Sequence, residues 1–118
     1  MKSKRDVRVY IDDILEAIKK TENYSKKISF EEFSRNEQLV DAIIRNCEII
    51  GEAVKNISQE IKEKHADIPW RKMTGMRDKL IHQYFGVNKK IIWKTIKEDL
   101  PKVKPEIKKI LNKLNKAL

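Results

Sequence analysis

Apolar residues return every three or four positions along most of this chain, and little interrupts them. Val7, Tyr10, Ile11, Ile14, Leu15 and Ile18 mark one stripe, and Leu39, Val40, Ile43, Cys47, Ile50, Val54 and Ile57 a second. Ile107, Ile110, Leu111, Leu114 and Leu118 mark a last. This spacing gives a helix one oily face; a half-buried strand would need alternation at every second residue. Only three glycines and three prolines punctuate 118 residues, and no segment reads as a strand, linker, repeat or low-complexity tract. The stripes are therefore expected to close on one another as an all-α, up-and-down bundle of about five helices. One domain over 1–118 is long enough for such a core without disulfide or metal staples.

Local signals set the boundaries. A first helix is predicted over about 6–24. Ser29 and Glu32 have capping-box spacing, with Phe30 and Phe33 opening a short helix behind them. Asn36 caps a long helix of about 36–57, and Ser58 caps a further turn or two to Lys64. Pro69 suits a first turn and opens a helix to about 83. Gly86 stops it, and Asn88 caps the next, about 89–98. Pro101 and Pro105 are expected to break the chain before a basic last helix of about 102–118.

Charge is unevenly placed. The net charge is +9, yet residues 86–118 alone carry ten Lys/Arg against three Asp/Glu. A basic C-terminal third attracts a nucleic-acid backbone by releasing its counterions, although lysines that merely solvate helix faces would give the same count. Cys47 is the only cysteine. It cannot form an intramolecular disulfide, fits a reducing cytoplasm, and shares the apolar face of Ile43, Ile50 and Val54, so it belongs to the core. No stretch has the length or apolarity of a membrane span, and the N-terminus does not resemble a secretion signal. The expectation is a soluble cytoplasmic protein.

Chemistry concentrates in Arg77-Asp78-Lys79-Leu80-Ile81-His82-Gln83-Tyr84. A permanent cation, a group that titrates near neutrality and a phenol fall within eight residues, on a segment whose Met73, Met76, Leu80 and Ile81 form the apolar stripe. Histidine serves as base or acid, and arginine grips phosphate oxygens through paired donors. Together they suit cleavage of an RNA phosphodiester without a metal. At about 100° per residue, however, Arg77 and His82 lie about 140° apart around one helix. Either the helix ends near His82, or a two-fold mate supplies the missing group.

These residue types also admit plainer readings. His82 beside Arg77 can be surface or interface polarity, Tyr84 a core aromatic whose hydroxyl reaches water, and Asp78 an ion-pair partner of Arg77 or a lysine. Trp70 and Trp93 are expected to anchor the bundle. Neither zinc nor a phosphate-cradling loop is supported. His65, the other histidine, is seventeen residues from His82 with no ligand spacing between them, and Gly75 and Gly86 stand alone.

The chain resembles the HepT-type toxins of the HEPN superfamily from about Asp6 to Val103. The resemblance is carried by Arg77-x4-His82-x-Tyr84, by Ile68-Pro69-Trp70 before it and Phe85-Gly86-Val87-Asn88, Trp93 and Asp99-Leu100-Pro101 after it, and by Ile49-Ile50-Gly51-Glu52-Ala53 upstream. It implies a homodimer through the motif helix and a metal-independent endoribonuclease without cofactors, with Arg77 and His82 in the active site and Asp78 in support. It implies the toxin half of a type VII-like toxin–antitoxin pair. The partner would be an MntA-like nucleotidyltransferase antitoxin that attaches AMP to Tyr84. A non-catalytic HEPN module that binds nucleotide or RNA and docks a nucleotidyltransferase is the alternative. The chain departs from the family at Tyr24-Ser25-Lys26-Lys27-Ile28, where relatives often have a glycine.

Overall fold

The computed structural model describes residues 6–81 and 88–116, with the backbone alone for 77–81. Every regular element among the described residues is helical: α1 (Val7–Ser25), α2 (Phe30–Arg35), α3 (Glu37–Lys55), α4 (Gln59–Lys64), α5 (Trp70–Ile81), α6 (Lys89–Lys94) and α7 (Leu100–Lys116). The all-α bundle read from the stripes is the fold found.

Side-chain caps start the helices where the sequence places them. Ser29 and Glu32 close a reciprocal capping box on α2. Asn36 accepts from the Leu39 amide, Ser58 from Ile61 and Asn88 from Ile91. Each such cap stabilises by about 1 kcal/mol, enough to fix an end that the apolar stripe alone leaves free to slide.

The core lies along α1 and α3. Ile11, Ile14 and Ile18 of α1 and Ile43, Cys47, Ile50 and Val54 of α3 have no or almost no exposed surface. α5 packs on α3, and α7 packs on α1. Burial pushes the Cys47 thiol up to about 12, with the Glu48 charge adding to it. At neutral pH it is a protonated core residue, not a nucleophile. Among the described residues no helix is long and apolar enough to cross a membrane.

The prolines do not act as expected. α6 and α7 are joined by one wide turn of π-helix, Thr95–Asp99, and form a continuous rod from Lys89 to Lys116. The Leu100 amide donates five residues back, to the Thr95 carbonyl. In a regular α-helix the ring of Pro101 would crowd the Lys97 carbonyl. The widened turn just before it gives that ring room, and Pro105 is carried inside α7. The rod's 28 residues would span about 42 Å, close to the molecule's longest dimension of 45 Å. Trp93 anchors it: the ring packs 5.1 Å from Phe33 and 6.0 Å from Phe30 between centroids, docking α6 on α2.

The connector after α1 contains one backbone conformation that disfavours its residue. Lys27 adopts φ 62°, the left-handed region that costs a residue with a Cβ about 1–2 kcal/mol. This is the connector where the family resemblance expects glycine. Lys27→Gly relieves the steric cost at some expense in unfolded-chain entropy. Denaturant unfolding should show stability unchanged or raised by up to about 1 kcal/mol; a loss of that size would contradict this reading of the turn.

Candidate active site

The motif begins on a helix whose start is firmly clamped. The His65 carbonyl accepts from both the Ile68 amide and the Trp70 indole N–H, each at 3.0 Å. The Pro69 carbonyl takes the Met73 amide, so the proline sits just before α5, where its missing N–H costs nothing. Trp70, Met73 and Met76 are buried and hold the rotation of α5 against the bundle. Thr74 donates its hydroxyl to the Trp70 carbonyl.

That anchoring fixes the helical register on which the motif depends. Arg77 follows Trp70 by seven residues and Met73 by four, so its Cα lies on the same side of α5 as both. Asp78 is a further 100° round the axis. The helix continues to Ile81, the residue before His82. The side chains of Arg77, Asp78, Leu80 and Ile81 lie outside the described residues. So do His82, Tyr84 and the expected stop at Gly86, and so does Leu118 at the end of the predicted basic helix.

Beside α5 runs an open groove of about 680 Å³, bounded on its far side by α6, the π turn and α7. Its floor is apolar, with Met73 and Met76 facing Leu100 and Val103. Lys72, Lys94 and Lys102 stand on the lining with Asp67, Asp99 and Glu106, so among the described residues the groove's charges balance. Gly75 borders it too, and a Cβ built there would meet nothing within 4 Å. Among the described residues neither packing nor a positive φ requires glycine at this position. Glycine inside a helix costs about 1 kcal/mol relative to alanine, and the described residues contain no contact that offsets it. The groove was not legible beforehand: it joins segments fifteen or more residues apart, and no local pattern announces it. Among the described residues no three His, Cys, Asp or Glu side chains come together as a metal site would require.

An all-α bundle whose sequence carries Arg77-x4-His82-x-Tyr84, with the arginine on the helix after the α4 turn, is a HEPN-type protein. The family described as "Ribonuclease HepT-like" matches residues 14–110, from α1 through most of α7. The chain belongs to this family of HEPN-type ribonucleases. It is 49% identical over 107 residues to a protein of Thermococcus cleftensis named probable ribonuclease HepT, covering 91% of this chain and 97% of that one. Relatives from Caldanaerobacter subterraneus subsp. tengcongensis and Methanocaldococcus jannaschii also carry RNase names. The first is 48% identical over 90% of this chain and 95% of its own length. The second is 45% identical over 92% of this chain and 89% of its own. No solved structure matches the chain.

Proposed function

We propose that the protein is a metal-independent endoribonuclease and the toxin of a type VII-like toxin–antitoxin pair, with Arg77 and His82 as its active-site residues and Asp78 supporting them. The observation that carries this reading is the HepT-like family match over 14–110, which takes in all of α5 and the whole Arg77–Tyr84 motif. The chemistry follows from the residue types. An imidazole takes the proton from a ribose 2′-OH, and the 2′-oxygen attacks phosphorus. The P–O5′ bond breaks and the departing 5′-oxygen is protonated, leaving a 2′,3′-cyclic phosphate and a 5′-hydroxyl. Charge gathers on the non-bridging oxygens, where a guanidinium with two parallel donors stabilises it best.

The site is shared between two copies paired along α5. A helix continued to position 82 would set it about 140° from position 77, whereas a two-fold mate would bring one chain's arginine to the other's histidine. Gly75 supports this pairing, because a close helix crossing is a reason for glycine that the described residues of one chain do not supply.

Regulation follows from the same motif. Position 84 is seven residues after Arg77. A nucleotidyltransferase antitoxin would join the Tyr84 oxygen to the α-phosphate of ATP and release pyrophosphate. The new phosphodiester is a bulky anion that competes with substrate for Arg77.

Purified Arg77→Ala and His82→Ala, each helical and of parental oligomeric size, should lose at least about 100-fold in cleavage rate. Parental cleavage should persist in EDTA. His82→Ala cutting RNA at the parental rate would overturn the assignment. RNA bound intact by the parent, with no cyclic-phosphate ends formed, would mean a binding module instead. Incubation with the cognate nucleotidyltransferase and ATP should add AMP mass to the parent but not to Tyr84→Phe; equal gain by both would place the modification elsewhere.

A further inference from the structure

Seven of the ten lysines in residues 86–118 fall into two groups. Three are occupied by the fold. Lys89 donates to the Ser34 carbonyl at 2.7 Å, and Lys97 donates to the Ser25 carbonyl at 3.2 Å while lying 5.1 Å from the Trp93 ring centre. Lys104 pairs with Glu22 of α1 at 2.6 Å. These lysines tie the rod to α1 and α2, and their charges are partly spent there.

The second group lines up. On α7, Lys109, Lys113 and Lys116 follow Lys102 by seven, eleven and fourteen residues, which places all four within a sector of about 60° over about 21 Å of helix. All four are exposed. Lys104, about 200° round from Lys102, faces α1, so the stripe runs on the other side of the rod. There Lys102 lines the groove against α5. Asp67 and Asp99 share the groove lining with Lys102, and farther along α7 Glu106 lies 3.4 Å from Lys109 in an exposed pair of the kind that water and salt leave weak. The stripe continues past residue 110, where the family match ends, so the family does not imply it.

We infer that Lys102, Lys109, Lys113 and Lys116 form a phosphate track that holds single-stranded RNA along α7, leading away from the groove beside the motif helix. This rests on the ribonuclease reading above and deepens it. Consecutive phosphates of an extended strand lie about 6–7 Å apart, so about 21 Å of lysines accompanies three or four nucleotides outside the cleavage site. Among the described residues the groove's charges balance, whereas the stripe carries an excess of positive charge that draws the strand's phosphates. Exposed lysines on a helix read no base edges, and the track confers affinity without sequence preference.

The test is the combined variant Lys109→Gln/Lys113→Gln/Lys116→Gln, with Lys19→Gln/Lys20→Gln/Lys26→Gln on and after α1 as a control of equal charge. Binding of an unstructured RNA of about 20 nucleotides is followed between 50 and 200 mM salt, using His82→Ala so that the RNA stays intact. Each lost phosphate contact reduces the slope of log K against log salt by about 0.7, so the stripe variant's slope should be smaller by about 2. The parental advantage then shrinks about 16-fold across that range. In the cleaving protein, KM for the long RNA should rise with kcat unchanged, and a di- or trinucleotide substrate should be unaffected. A parental slope in the stripe variant, or an equal change in the α1 control, would overturn the track. A parent that binds the long RNA without cutting it would remove the nuclease reading and leave the slope comparison standing. A parent that binds no RNA would overturn both.

Discussion

The burial of Trp70, Met73 and Met76 against α3 is the constraint on which the functional account depends. Burying each such side chain stabilises by about 1.5–3 kcal/mol, so together they hold α5 in one rotation. The indole N–H, satisfied by the His65 carbonyl, removes the cost of burying a polar atom at the same point. With the rotation fixed, Arg77 has a defined place on the helix. An active site that needs a guanidinium in one direction can then be built on a rigid element instead of on a loop.

The sequence was most legible where a local signal carries its own mechanism. The helix starts at Ser29, Asn36, Ser58 and Asn88 are set by side chains that reach amides three residues on, and such signals need no tertiary context. The Arg77–Tyr84 motif was legible for the same reason, its spacing being entirely local. Pro101 and Pro105 misled because local sterics favour a break there. The fold instead widens the preceding turn and keeps the rod straight enough to pack Ile107 and Ile110 on α1. Tertiary packing outweighs the lost hydrogen bonds.

What could not be read was the division among the lysines. Lys89, Lys97 and Lys104 find partners 55, 72 and 82 residues away, distances over which composition says nothing. Lysines read as one uniform basic block thus include several that are structural. The stripe that remains is a property of helix register combined with which side of α7 faces α1. Net charge alone would have placed a polyanion anywhere on the C-terminal third.

The central claim is that one RNA phosphodiester meets an arginine from one chain and a histidine from another. Mixing Arg77→Ala with His82→Ala tests it most directly. In a shared site, each mixed dimer contains one cleft with both native groups, so two inactive proteins should regain about half of a parental dimer's cleavage in every mixed pair once subunits exchange. If the mixture forms mixed dimers, verified by differential tagging, and cuts no RNA, then both groups act within one chain and the shared cleft is wrong.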